Sequence, residues 1–453
     1  MQFEFLSAEA DAHPLDLVDG DSLGNVREPA LSWAKSNAFK AAEGKLLIVP
    51  GKDGAIESAL FGHSDKPDAM LNLAALSKGL PDGDWRIEGE LCDPTLAAIA
   101  LRLGAYEFSR YRKESGRSIR FVAPENADIV RANRIADGIC LARDLINTPT
   151  NDMGPEQLEA AARTLATAHG ADVSVTAGEA LLSEKLFMIH AVGRASAHAP
   201  RLIDIRWGPL SAPKVTLVGK GVCFDTGGLD IKPASGMLLM KKDMGGAANV
   251  LGLASMIMGA KLNVRLRVLI PAVENSISGN AFRPGDVLQS RKGISVEIGN
   301  TDAEGRLILA DALALADEEE PALLIDMATL TGAARVALGP DLPPFYTDDE
   351  QFAAELEDAA ARVFDPLWRM PLWQPYKSKL ESRIADTNNV TTDGFAGSIT
   401  AALFLQRFVE KAASWAHFDV YGWNPTAKPW SPVGGEAQCI HALEQVLSQR
   451  YRG

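Results

Sequence analysis

From Glu156 to the C-terminus, short apolar runs of strand type alternate with longer helical patterns. That alternation points to a mainly parallel sheet, because each return to a parallel strand needs a crossover long enough for a helix, and the helices then cover both faces. A weaker alternation precedes it. Lys45–Pro50 and Ile119–Ala123 read as strands, and Leu71–Lys78 and Pro94–Leu103 as helices. A long helical pattern, Glu125–Leu145, ends before Pro149, and Asp286–Ile298 reads as a hairpin turning at Arg291-Lys292-Gly293. A chain of 453 residues, 47% hydrophobic, is too long for one ordinary core. The expected fold is therefore α/β in two domains. A smaller N-terminal α/β domain spans 1–124, a linker helix 125–150, and a larger domain 151–453 carries a mainly parallel sheet covered by helices on both faces.

The junctions carry unusual charge. Val296–Gly299 is a strand pattern, a helical pattern follows Thr301, and Asp302, Glu304 and Arg306 stand between. Ligands bind at such strand ends in α/β folds. A capping box, Thr301-x-x-Glu304, is the ordinary alternative. A second cluster follows the strand pattern Val215–Val218: Lys220, Asp225 ahead of Thr226-Gly227-Gly228, Lys232, and Asp243 before a small-residue helix from about Ala247 to Gly259. Singly, Asp225 suits a turn, Asp243 an N-cap, and both lysines a solvated surface. Together, four acids and two lysines at successive element ends are hard to treat as unrelated caps.

Carboxylates of this kind suit Mg²⁺, Mn²⁺ or Zn²⁺, and a close pair of such ions needs bridging carboxylates, for which Asp225 and Glu304 are candidates. Histidine is absent from the constellation. The seven histidines are scattered, and Cys92, Cys140, Cys223 and Cys439 lie far apart. A histidine-based single-zinc site and a zinc finger are both disfavoured.

Asn300-Thr301-Asp302-Ala303-Glu304-Gly305-Arg306-Leu307 resembles the signature octapeptide of the leucine aminopeptidase family of two-metal exopeptidases. Gly219–Gly228, Lys232 and Met240–Gly246 match that family's other metal segment in order and spacing, and the resemblance runs from about Asn147 to the C-terminal part. It implies a metal-dependent aminopeptidase. Lys220, Asp225, Asp243 and Glu304 would hold a tighter metal. Asp225, Asp302 and Glu304 would hold a more exchangeable one. The ions would be Mn²⁺ or Zn²⁺, with Mg²⁺ or Co²⁺ as alternatives. Lys232 would contact the scissile carbonyl, and Arg306 would hold a bicarbonate acting as general base. Met240, Thr329, Leu330 and Gly332 would lie close to the bound N-terminal residue. The resemblance also implies a homohexamer acting on peptides.

Physical chemistry bears on these roles. A lysine ligates metal only as the neutral amine, so Lys220 makes sense as a ligand only beside a cation. Lys232 must stay charged to stabilise a developing oxyanion. A guanidinium suits Arg306, since it binds carboxylate-type anions bidentately; a salt bridge within its own helix is the alternative. The chain departs from the family at Trp415–Pro425, where a small residue is expected at Tyr421. Tyr421 and Trp423 would narrow the substrate pocket away from leucine, or else only pack at the core or a subunit contact. Thr226 stands where serine is commoner.

Lys plus Arg total 45 against 59 Asp plus Glu, a net charge of −14, which disfavours nucleic acid as the main partner. Few cysteines, a start without a basic and apolar leader, and no run of ~20 apolar residues point to the cytoplasm. A DNA-binding regulatory role and a catalytically silent scaffold are the alternative readings.

Overall fold

The structure, a computed structural model, describes residues 3–64, 66, 68–113 and 116–452. Met1 and Gln2, part of the leader reading and of the 1–124 span, lie outside the described residues, as does Gly453. The chain forms two compact units. One comprises 1–137 with 426–433, the other 138–425 with 434–453.

The first unit holds β1 (His13–Val18), β2 (Leu46–Pro50), β3 (Ile56–Gly62), β4 (Gly83–Glu88) and β5 (Ile119–Phe121), in the order β2-β3-β1-β4-β5. Only β2–β3 is antiparallel. Sequence reading found β2 and β5 but not the other three. Pro14 and Asp16 break up β1, and Asp84, Arg86 and Glu88 make β4 look polar although Trp85 is fully buried. The helix Pro94–Gly104 begins as its sequence dictates, with Pro94 in the first turn and Asp93 Oδ1 accepting from Leu96 N at 2.8 Å. The single helix expected at Leu71–Lys78 is instead three short turns, Ala69–Asn72, Leu73–Ala75 and Leu76–Gly79. Tight packing occurs there: a Cβ on Gly104 would lie 2.0 Å from Ala74 O.

The second unit is built on β6 (Asp172–Ala177), β7 (Arg201–Trp207), β8 (Lys214–Gly219), β9 (Gly221–Asp225), β10 (Arg265–Asn275), β13 (Leu323–Ala328), β14 (Pro344–Tyr346), β15 (Trp368–Arg369) and β17 (Trp415–Asp419). Their order is β15-β14-β17-β13-β8-β10-β7-β6, with β9 also paired to β10. The centre is parallel, and the antiparallel pairs β10–β7, β7–β6 and β14–β17 lie outside it. A small sheet joins the expected hairpin, β11 (Val287–Gln289) and β12 (Ser295–Glu297), to β16 (Thr387–Asn388). The chain is thus a two-domain α/β protein with a mixed, mostly parallel main sheet.

From β8 the chain crosses to β10 through the helix Gly245–Gly259, then back past β8 to β13 through Glu304–Asp317. Opposite directions with right-handed crossovers put the two helices on opposite faces. Accordingly, Gly245–Gly259 packs with the helices Pro155–His169 and Ile440–Arg450, and Glu304–Asp317 with Phe187–Gly193 and Gly397–Gln406. All six residues of β13 are buried, as a central strand covered on both faces requires. The carboxyl ends of β8 and β13 frame the crevice where such folds bind ligands.

Buried aspartates hold loops onto this core. Asp311 Oδ2 accepts from Met188 N (2.8 Å) and Ile189 N (3.3 Å), and Oδ1 from Arg291 N (2.8 Å). Asp317, also buried, and the half-buried Asp365 each collect three backbone amides in the same way. Asp311→Ala should strand three buried N–H groups and destabilise the protein by on the order of 3 kcal/mol or more, read as a drop in the urea midpoint at unchanged m-value.

Candidate metal centre

The site begins where the sheet is interrupted. β10 pairs with β8 as far as Leu269 and with β9 from Ala272 onward. Pro271, which has no N–H to donate, stands at that break. Lys220 fills it, donating its N–H to Met327 O (3.0 Å) and accepting from Ala247 N (2.9 Å). Its Nζ donates to Thr329 O (2.9 Å) and lies 2.8 Å from Asp243 Oδ2 and 3.0 Å from Glu304 Oε1. Gly305 makes room: a Cβ there would sit 2.5 Å from Lys220 Cε. Burial opposes the Lys220 charge, but Asp243, Glu304 and Asp225 outweigh it and push its pKa up.

Asp225 ends β9. Its Oδ1 accepts from Gly227 N (2.8 Å), so it does shape the turn, and from Asn275 Nδ2 (2.9 Å). Its Oδ2 is 2.9 Å from Lys232 Nζ, and that ammonium also pairs with Asp302. The capping box does not form. Ala303 is the N-cap and Glu304 the first helical residue, while Thr301 Oγ1 donates to Gly227 O (2.7 Å) and accepts from Asp230 N (2.9 Å). Nor is Asp243 an N-cap. It lies in the 3-10 turn Met240–Met244, its Oδ1 accepting from Thr329 Oγ1 at 2.8 Å.

Asp225, Asp302 and Glu304 thereby offer oxygens all within 4.8 Å of one another. Burial, then the Asp225 charge, pushes Glu304 up to about 8 despite Lys220. The same two causes raise Asp302 to about 6, and burial raises Asp243. Glu304 Oε2 is buried without a hydrogen-bond partner, and Glu304 Oε1 and Asp243 Oδ2 face Lys220 outside hydrogen-bond geometry. Crowded acceptors with unused lone pairs fit divalent cations, which carboxylate oxygens bind readily. Asp225, Asp302 and Glu304 form one candidate ligand set, and Asp243 and Lys220 adjoin it through Glu304.

Arg306 is buried, and Nη1 donates to Asn389 O at 2.7 Å. Its Nε has no partner, and no acid pairs with it among the described residues, so the salt bridge within its helix is not formed. Burial pushes its pKa down to about 10. Of the residues expected near substrate, Thr329 binds Asp243, and Leu330 N donates to Asp419 Oδ1 (3.0 Å). Met240 opens the turn carrying Asp243, and Gly332 opens the helix Gly332–Leu338 with open space where a side chain would be. Tyr421 lies beside Lys242, its ring centroid 4.6 Å from Nζ.

Sequence reading missed several supports. Asn389 is fully buried; its Oδ1 accepts from Gly299 N (2.8 Å) and Nδ2 donates to Asn300 O (2.7 Å). Asn275 ties Asp225 to Thr301 O, and Asp419 holds Leu330 and Thr331. The asparagines sit in segments without charge clustering or a motif that would single them out.

A profile described as "Cytosol aminopeptidase family, catalytic domain" matches residues 140–443, and one described as "M17 aminopeptidase, N-terminal domain" matches 14–124. A probable cytosol aminopeptidase of Chlamydia trachomatis is 44% identical over 324 residues, 69% of this chain and 65% of that protein, so this alignment spans just under two thirds of the relative. A probable cytosol aminopeptidase of Corynebacterium glutamicum is 39% identical over 92% of this chain and 87% of its own length. Among solved structures, the cytosol aminopeptidase from Coxiella burnetii superposes with a TM-score of 0.94 at 45% identity, covering 99% of both chains. The bottromycin maturation enzyme BotP in complex with Mn gives 0.88 at 31% identity, covering 97% of this chain and 100% of that one.

Cation uptake should expel protons. Glu304 holds its proton up to about pH 8 in the metal-free protein and binds a cation only as carboxylate. Apparent Mn²⁺ affinity should therefore rise between pH 6 and 8, with proton release seen by calorimetry in buffers of different ionisation enthalpy. Affinity that does not change over that range would refute it. Gly305→Ala should displace the Lys220 amine and weaken Mn²⁺ binding roughly tenfold or more, by the same titration.

Proposed function

The chain belongs to the cytosol aminopeptidase family, and on that premise we propose that it is a metal-dependent aminopeptidase releasing N-terminal residues from peptides. The observation carrying this reading is the convergence of Asp225, Asp302 and Glu304 beside Asp243 and Lys220, with carboxylate oxygens left unpartnered.

Asp225 and Glu304 are suited to bridge two cations, Asp302 to complete one set, and Asp243 with Lys220 the other. Such a pair supplies Lewis acidity and a water whose pKa falls toward neutrality. Mn²⁺ is the first metal to test, because BotP is described in complex with Mn. Lys220 ligates only after losing its proton, which needs the cation's field to reverse the upward push of its acidic neighbours. Asp225 and Asp302 hold Lys232 as an ammonium, raising its pKa against the opposing effect of burial. It is placed to donate to the scissile carbonyl oxygen as charge develops there. Among the described residues Arg306 keeps a buried, unused Nε and no acidic partner, and so can anchor a bicarbonate as general base. Met240, Thr329, Leu330, Gly332 and Tyr421 lie on the segments bordering the acids and are assigned to the substrate. Peptides are the partner class. No helix among the described residues is long and apolar enough to cross a membrane. A cytoplasmic homohexamer is the proposed working form, to be checked by light scattering.

Aminoacyl-p-nitroanilide hydrolysis with added Mn²⁺ tests the reading. Glu304→Ala should abolish both turnover and metal uptake; a metal-replete, active variant refutes the bridging role. Lys232→Ala should keep metal stoichiometry and lower kcat by roughly 10²–10³-fold, the loss typical of one oxyanion donor. Arg306→Ala should cost less and respond less to added bicarbonate than the parent does.

A further inference from the structure

One aromatic ring beside the acids gathers cations that the protein leaves unneutralised. Lys242 is 5% exposed, and its Nζ lies 4.6 Å from the Tyr421 ring centroid. The Arg335 guanidinium carbon lies 5.0 Å from the same centroid. Among the described residues, neither cation has an ion pair within 4.0 Å or a hydrogen-bond acceptor, and the Tyr421 hydroxyl has no hydrogen bond. The nearest acid to one side, Asp243, is engaged by Lys220 and Thr329. To the other, Asp419 is committed to Leu330 N, Thr331 N and Thr331 Oγ1.

Burying a lysine without a counter-charge is costly, and cation–π attraction returns only part of that cost. Lys242 is thus buried without a counter-charge of its own, and the exposed Arg335 and the half-buried Tyr421 bring further unused donors to the same ring. The ring is held in place: Tyr421 N and Gly422 N both donate to Gln438 Oε1, at 2.8 and 2.9 Å. Its neighbours border the segments that carry the acids. Lys242 precedes Asp243, and a Cβ on Gly422 would lie 3.1 Å from Thr329 Cγ2.

We propose that Lys242, Arg335 and the Tyr421 hydroxyl form a carboxylate-binding subsite of the peptide substrate, so that the protein favours substrates carrying a carboxylate there. This rests on the aminopeptidase reading and deepens it. Two parts of a peptide supply that group, an N-terminal glutamate or aspartate side chain and the free C-terminus of a dipeptide. Hydrogen bonds to charged partners make the discrimination roughly tenfold or more.

The test measures kcat/KM on the Mn²⁺-loaded full chain for Glu-, Gln- and Leu-p-nitroanilide, and for Leu-Gly against Leu-Gly amide. A Glu/Gln ratio of about ten or more that collapses in Lys242→Met and Arg335→Gln assigns the subsite to an acidic N-terminal residue. An acid/amide ratio of that size, collapsing in the same variants, assigns it to the free C-terminus. Ratios near one, or ratios unmoved by both variants, overturn the subsite while leaving the aminopeptidase reading intact. Wild-type protein that hydrolyses none of these substrates overturns that reading, and the subsite with it. Arg335 lies on an exposed helix turn, so Arg335→Gln reports even if the buried Lys242→Met fails to fold.

Discussion

Four carboxylates, Asp225, Asp243, Asp302 and Glu304, share one crevice, and among the described residues Lys220 and Lys232 are the ammonium groups ion-paired with them. Burial, and after it the neighbouring Asp225 charge, holds Glu304 near 8 and Asp302 near 6. The imbalance gives the site its chemistry. Further positive charge brought in as metal would relieve the repulsion, and the same charge would favour the neutral, ligating form of Lys220. The sheet break at Pro271, the glycine at 305 and the turn at Asp225 all serve to bring these groups together.

Neutral polar groups hold that charge in place. Asn275 and Asn389 are buried amides, each able to donate and accept, and they tie the acid-bearing loops without adding charge. Thr301 and Asp230 link the loop of Lys232 to that of Asp302 through reciprocal bonds. On the far side, Asp419 fixes Leu330 and Thr331, and Thr329 passes that order to Asp243. The acids are thus positioned by three loops that are themselves hydrogen-bonded to the core, which is how a site stays geometrically defined when its own charges repel.

Much of this was legible from residue order. β8 read as an apolar run because it is buried on both faces, and the hairpin of β11 and β12 was visible from its turn. Strands β1 and β4 were not, because a half-buried strand with Asp and Arg on its open face has no strong signal. The capping box was a fair local inference that tertiary structure overrode. Thr301 finds partners 71 and 74 residues away, at Asp230 and Gly227, and so leaves the helix end to Ala303. Arg306 likewise turns to Asn389 rather than to an acid of its own helix.

The chain's order of residues alone singled out the candidate groups, since an octapeptide with two acids and an arginine at a strand-to-helix junction restricts the choice strongly. It also determined the α/β class, because hydrophobic period is local. Only the folded chain decided which acids meet, which lysine faces which carboxylate, and that Lys242 and Arg335 flank Tyr421. Glu304 meets Lys220 across 84 positions and Tyr421 meets Arg335 across 86, and such contacts depend on strand order and loop anchoring, which short-range pattern does not encode.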